Sequence, residues 1–177
     1  MILAVIPARG GSKRCPGKNL KDLRGKPLIV WTIEAAKQSH YIDTLVVSTD
    51  DWEISGLAMD YVPVVMRPPE LATDTATNED VLRHASKNFP GHDWIVLLQP
   101  TSPLRTTEDI DECILLAKQD REGCISYRAS NGSRNGAVYV CSSEWLENHS
   151  QFGTFQAFYI MPDSRSLDID YEQEFDL

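Results

Sequence analysis

Apolar residues along this chain come in short runs separated by polar stretches that carry glycine and proline. ILAVI (2–6), TLVVST (44–49), VPVVM (62–66) and WIVLL (94–98) are short, apolar and bounded by turn residues, which predicts strands. Pro63 places the third of these at a sheet edge or near a strand start. Between and after them, LIVWTIEAAKQS (28–39), DWEISGLAMDY (51–61), TNEDVLRHASKNF (77–89) and TTEDIDECILLAKQ (106–119) have helical length. Thr77 with Asp80 three residues on is a helix start, and the acids opening 106–119 suit a helix dipole. Gly56 weakens the second helix. Such β-α alternation with near-continuously apolar strands predicts an α/β fold: a mostly parallel sheet wrapped by helices, as one domain over residues 1–177. After residue 120 the order changes. GCISYR (123–128) reads as a strand, SNGSRNG (130–136) as a turn-rich loop, and AVYV (137–140), a SEWLEN helix (143–148) and FQAFYIM (155–161) follow.

Ligands of open α/β sheets sit beyond the carboxyl ends of the strands. The segments after the four strands are ARGGSKRCPGKN, TDD, RPPEL and QPTSPLR, and the first is the most informative. Its glycines, Gly10, Gly11 and Gly17, let backbone N–H groups approach an anion, and Arg9, Lys13, Arg14 and Lys18 neutralise one. A phosphate-bearing ligand is predicted. The loop matches neither G-x-x-x-x-G-K-[ST] nor G-x-G-x-x-G, so it is a cradle of another kind.

Charge sharpens this picture. The chain has 177 residues, with 17 Lys and Arg against 26 Asp and Glu, a net charge of −9. That balance disfavours nonspecific nucleic-acid binding, which rests on basic surface. The charge is uneven: residues 9–26 are strongly basic, residues 163–176 strongly acidic. Asp168 and Asp170 alternate around Ile169 there, so in an extended segment both carboxylates point to one side. Paired hard oxygen ligands suit Mg²⁺, which keeps waters and also binds substrate phosphates; a solvated acidic surface is the other reading. Cys15, Cys113, Cys124 and Cys141 form no C-x-x-C motif and read as separate reduced thiols. The four histidines show no H-x-x-x-H pair. No apolar run reaches the ~18–20 residues of a membrane span, and the start of the chain lacks the basic and apolar regions of a signal peptide, so a cytoplasmic protein without membrane association is expected.

R-G-G-S-K-x-x-x-x-K-N after the first strand resembles the nucleotide-sugar cytidylyltransferases, above all the acylneuraminate type. The resemblance continues in order through STD (48–50), RPPELATDTA (67–76), LLQPTSPLR (97–105), RNGAVYV (134–140) and SLDIDYEQEF (166–175). It implies a Rossmann-like three-layer nucleotidyltransferase fold. It also implies a reaction in which the anomeric hydroxyl of a nonulosonic acid attacks the α-phosphate of CTP and pyrophosphate leaves, with Mg²⁺ as cofactor. By motif match, Arg9, Gly11, Ser12, Lys13 and Lys18 would hold the triphosphate, with Lys18 and Arg9 stabilising charge. Asn19, Arg67, Ala76 and Asn78 would hold the nucleoside. Gln99, Thr101, Ser102, Asn135, Tyr139 and Phe152 would meet the acceptor. Asp168 and Asp170 would bind the metal, with Asp170 assisting deprotonation of the sugar hydroxyl. Asp50 fits the family pattern, or caps a helix.

One departure stands out. Where the family carries an inserted arm that exchanges with a neighbouring subunit, only ASNGS (129–133) joins two strands. A monomer, or a dimer unlike the usual one, is therefore expected, and Arg128 or Arg134 would have to supply the cations the partner arm brings to the acceptor carboxylate. Two further readings stay open: cytidylyl transfer to another 2-keto-3-deoxy sugar acid or a phosphonate, and a catalytically inert nucleotide-binding protein.

Overall fold

The computed structural model describes residues 1–153 and 155–176. Its first strand, β1 (Ile2–Pro7), lies inside the sheet with Leu3 to Ile6 fully buried. A strand covered on both faces has no solvent side, hence its unbroken apolar run. There follow a hairpin of β2 (Asp22–Leu23) and β3 (Lys26–Pro27), then α1 (Leu28–Lys37), β4 (Thr44–Thr49), α2 (Trp52–Met59) and β5 (Val64–Met66). Next come α3 (Asn78–Asn88), β6 (Trp94–Leu98), α4 (Thr107–Asp120), β7 (Gly123–Arg128), β8 (Arg134–Ser142), α5 (Ser143–Asn148) and β9 (Ala157–Met161).

The seven-stranded sheet has the order β5-β4-β1-β6-β8-β7-β9. β5, β4, β1 and β6 are parallel. β8 runs antiparallel to both β6 and β7, and β9 is parallel to β7. Alternate residues of β1 feed two cores. Ile2, Ala4 and Ile6 pack with α1, α2 and α4, while Leu3 and Val5 pack with Leu82 and Ala85 of α3 and Trp145 and Leu146 of α5. The result is three layers, helices on both faces of a mostly parallel sheet, as the alternation predicts. Each fully buried Leu or Ile contributes about 1.5–3 kcal/mol relative to exposure. Thr77 and Thr106 open α3 and α4 with reciprocal capping boxes to Asp80 and Asp109. All four cysteines are free and buried.

β5 begins at Val64, directly past Pro63, and is an edge strand, as that proline predicts. Two local features depart from the sequence expectation. β8 begins at Arg134, inside the stretch read as a loop, because pairing with β7 and β6 overrides the low strand propensity of Asn135 and Gly136. Gly136 has φ 75°, beside a register shift between Ile125 and Tyr127. The β2–β3 hairpin has no alternating pattern to reveal it; Arg24 and Gly25 turn it with φ 53° and 92°, a primed turn.

Candidate active site

The chain leaves β1 for β4 and β5 on one side, then returns to the other side of β1 for β6. Connections therefore diverge between β1 and β6, and a crevice opens beyond their carboxyl ends. A cleft of about 610 Å³ lies there, lined by residues from the segments that follow β1, β5 and β6 and by the acidic segment.

One wall is the basic loop, with Arg9, Ser12, Lys13, Arg14, Lys18 and Asn19 facing the cleft. Two contacts hold its shape. The Gly10 N–H donates to Asp50 Oδ1 at 3.1 Å, and the Asn19 side-chain amide donates to the Arg9 carbonyl at 3.0 Å. A Cβ on Gly10 would sit 2.4 Å from Asp51 Oδ2, so this position requires glycine. The two aspartates thus divide their work: Asp50 ties down the loop, and Asp51 caps α2 by accepting from Glu53 and Ile54 N–H.

The facing wall contains Arg67, Asp74, Ala76 and the start of α3 at Asn78. Arg67 donates through Nε and Nη2 to the Ser48 carbonyl, at 3.2 and 2.7 Å. Burial lowers this guanidinium to about 10, Asp50 opposing the shift and Arg9 adding to it. Gln99, Pro100 and Thr101, directly after β6, complete the lining between the walls.

Asp168 and Asp170 form the acidic side. Ile169 between them is fully buried against Leu23 and Leu28, and its N–H donates to the Thr101 carbonyl at 2.7 Å. With that side chain pinned inward, both carboxylates line the cleft. They differ sharply. Asp170 accepts from Lys18 Nζ at 3.0 Å and from Arg14 Nη1 at 2.6 Å. Burial acts to raise its carboxyl, but those two cations outweigh it and the net shift is downward. Asp168 has a buried Oδ1 with no hydrogen-bond partner. Burial pushes this carboxyl up and the Asp170 charge adds to it, against the Thr101 hydroxyl and Lys18. A buried carboxylate oxygen without a donor costs free energy unless something cationic occupies its lone pairs. That orphan oxygen fits a divalent metal. Among the described residues no group of three or more His, Cys, Asp or Glu is poised as a metal cage; two carboxylates would suit Mg²⁺, which also binds phosphates and keeps waters.

The expected acceptor residues separate into two groups. Gln99 and Thr101 line the cleft, whereas Ser102, Asn135, Tyr139 and Phe152 do not, and neither does Gly11 of the basic loop. Asn135 is buried and fully engaged: Oδ1 accepts from Ser126 Oγ and Ala137 N–H, and Nδ2 donates to Ser166 Oγ and Met161 Sδ. It joins β7, β8 and the start of the acidic segment. Tyr139 packs on Phe152 at 5.1 Å between ring centroids, in a cluster with Trp145 and Phe155. Arg128 donates to the Ser166 carbonyl and Arg134 to the Phe152 and Gly153 carbonyls, so both anchor backbone outside the cleft lining.

The sequence reading missed four residues. In the sequence Arg14 is one more cation of the basic loop; the structure makes it the partner of Asp170. Asp74 lies within RPPELATDTA and pairs with Arg9 and Lys13. Arg105 is buried, donates to the Gln99 and Ala137 carbonyls and the Thr32 hydroxyl, and fixes the turn after β6; burial brings its guanidinium down to about 9. Gly136 holds space: a Cβ there would lie 2.7 Å from Gln99 Oε1. Gly136→Ala is expected to destabilise by about 1–2 kcal/mol from the left-handed backbone alone. Displacement of the Gln99 carboxamide adds to this. Urea unfolding of the variant measures the loss.

Layer order, the crevice at the divergence of β1 and β6, and cations facing paired carboxylates define a fold of the nucleotidyltransferase kind. A structure of CMP:2-keto-3-deoxy-manno-octonic acid synthetase has the same fold: TM-score 0.81 at 18% identity, covering 99% of this chain and 95% of that one. A family model described as cytidylyltransferase matches residues 3–152, and the chain belongs to that family. It is 31% identical to the N-acylneuraminate cytidylyltransferase of Escherichia coli O18:K1:H7 over 217 residues, covering 99% of this chain and 51% of that protein. It is 45% identical to the CMP-N,N'-diacetyllegionaminic acid synthase of Legionella pneumophila over 131 residues, covering 71% of this chain and 56% of that protein. The chain thus spans about half the length of these curated relatives. The E. coli alignment is longer than the 177 residues of this chain, so that relative carries residues inside the aligned span with no counterpart here.

Proposed function

We propose that this protein transfers CMP from CTP to the anomeric hydroxyl of an acylneuraminate or related nonulosonic acid and releases pyrophosphate, with Mg²⁺ as cofactor. The observation that carries the proposal is the cleft itself: one wall of loop cations faces Asp168, whose buried oxygen lacks any partner. The names of the curated relatives, an N-acylneuraminate and a legionaminic acid enzyme, support the acceptor class.

Phosphoryl-type transfer is chiefly positioning and charge stabilisation. The acceptor oxygen bonds to the α-phosphorus, the bond from that phosphorus to the oxygen leading to the β-phosphate breaks, and pyrophosphate takes the electron pair. Arg9, Ser12, Lys13 and Lys18 would bind the phosphates, Lys18 being held toward the acidic pair by Asp170 and the Ile169 carbonyl. Asn19, Arg67, Ala76 and Asn78 would frame the nucleoside, and Gln99 and Thr101 the acceptor. Asp168 and Asp170 would hold Mg²⁺, which when bound neutralises phosphate charge. The family resemblance points to Asp170 for taking the hydroxyl proton. The geometry favours Asp168, because Asp170 is held by two cations and its proton affinity is lowered.

The short 129–133 turn supports a second reading of the acceptor. With Arg128 and Arg134 both on backbone carbonyls, the β7–β8 hairpin supplies no cation to the lining of the cleft. A 2-keto-3-deoxy sugar acid of different shape, held through Gln99 and Thr101, suits such a site equally well. The same short turn supports a monomer, or a dimer built without an exchanged arm. No helix among the described residues is long and apolar enough to cross a membrane.

Calorimetric titration with CTP, UTP and ATP in the presence and absence of Mg²⁺ tests the nucleotide assignment. Binding of CTP is expected to be tightest and to weaken at least tenfold without the metal. Equal affinities for all three nucleotides would contradict the assignment of Arg67, Ala76 and Asn78.

A further inference from the structure

The cations assigned to the phosphates are not free in this structure. Arg9 Nη1 donates to Asp74 Oδ1 at 2.8 Å, and Lys13 pairs with the other oxygen of the same carboxylate. One aspartate therefore occupies both residues and bridges the two walls of the cleft, from the basic loop to the segment before α3. Asp74 stands at the apex of a turn built by its neighbours: Thr73 Oγ1 bonds Thr75 Oγ1 and accepts from Ala76 N–H. Those bonds do not involve the Asp74 carboxylate. The side chain is presented to Arg9 and Lys13 without being needed for the turn. Lys13 and Arg9 hold its carboxyl below the ordinary range, so it stays ionised at neutral pH.

We propose that Asp74 is an internal competitor of polyphosphate: it must leave Arg9 and Lys13 for a nucleotide triphosphate to bind, and it reclaims them as pyrophosphate departs. The inference rests on the reading of this cleft as a CTP site and deepens it by assigning a role in product release. The carboxylate already takes donors of Arg9 and Lys13 and repels an approaching phosphate, so phosphate oxygens and Asp74 compete for the same two cations. All three partners are open to solvent, with side-chain exposures of 48% for Asp74, 38% for Arg9 and 79% for Lys13. Exposed pairs of this kind are weak, which is what an exchangeable contact requires. A ligand that binds only the open arrangement has its affinity reduced by the fraction of molecules that are open. Asp74 thereby weakens every ligand that reaches Arg9 and Lys13, and a ligand that does not reach them escapes the competition.

The test compares Asp74→Asn with the unaltered protein and with Asp74→Glu, which keeps the charge. Inorganic pyrophosphate with Mg²⁺ is the probe, followed by calorimetry and by its inhibition of CTP binding. Asp74→Asn is expected to bind pyrophosphate roughly three- to tenfold more tightly at low salt, a gain that shrinks at high salt. Asp74→Glu is expected to restore the weaker affinity. A role for Asp74 in merely aligning Arg9 and Lys13 predicts the opposite sign, so unchanged or weaker pyrophosphate binding in Asp74→Asn overturns the proposal. Failure of the unaltered protein to bind CTP would instead overturn the reading of the cleft. Thermal unfolding of each variant reports whether the fold is intact.

Discussion

Asp168→Asn is expected to lower turnover about a thousandfold and, at neutral pH, to make the unliganded protein more stable. The first effect follows from removing the carboxylate that would hold the metal while leaving the shape of the site unchanged; a preorganised electrostatic partner of this kind is typically worth 10²–10³ in rate, or about 2.7–4 kcal/mol. The second follows from the position of the group. Burial raises the Asp168 carboxyl above its ordinary value. Between the unfolded and folded values, the folded state binds more protons than the unfolded chain, so stability falls as pH rises through that window and stays lower above it. The neutral amide removes that cost. For a chain of this size, each kcal/mol recovered shifts the melting temperature by about 2–4 °C. Thermal unfolding at pH 4 and pH 7.5 checks it: the variant's advantage is expected at the higher pH and is expected to shrink at the lower. Added Mg²⁺ with CTP is expected to reverse the order, stabilising only the protein that retains Asp168.

Lys18→Ala is expected to cost about 10²–10³ in kcat, again the magnitude of one lost electrostatic stabiliser. Its side chain is only 12% exposed, and the ammonium reaches both Asp170 Oδ1 and the Ile169 carbonyl. Loss of Lys18 leaves the Asp170 carboxylate with Arg14 and removes the charge that moderates repulsion between the two aspartates. Lys18→Arg is expected to restore little, because a planar guanidinium does not reproduce a compact three-donor ammonium in a confined space. Single-turnover measurements separate this loss from weaker CTP binding.

Much of this arrangement is legible in the sequence because local rules and the fold agree. The apolar runs at 2–6, 44–49 and 94–98 became sheet strands because both faces of the sheet are covered. Thr77 and Thr106 open their helices with the predicted or a closely related capping pattern. Arg9, Lys13, Lys18, Arg67, Gln99, Asp168 and Asp170 meet in one cleft because each follows a strand, or is pinned beside one by a buried neighbour such as Ile169.

What escaped depends on contacts between distant segments. Nothing local marks Asp74 as the counter-ion of Arg9 and Lys13, or Arg14 as a partner of Asp170 across 156 positions. Asn135 reads as a site residue from its motif. Its four hydrogen bonds instead show a buried joint between β7, β8 and the acidic segment, a role that emerges only when those strands are paired. The start of β8 was hidden because glycine and asparagine look like turn chemistry until the partner strands on both sides are known.

The most direct test of the cytidylyl-transfer assignment is pyrophosphate release from CTP and Mg²⁺ with N-acetylneuraminate as acceptor, compared between the unaltered protein and Asp168→Asn. The account predicts release that needs both CTP and acceptor and that falls about a thousandfold in the variant. Release at the same rate in both proteins would contradict the assignment of the cleft as the site of transfer.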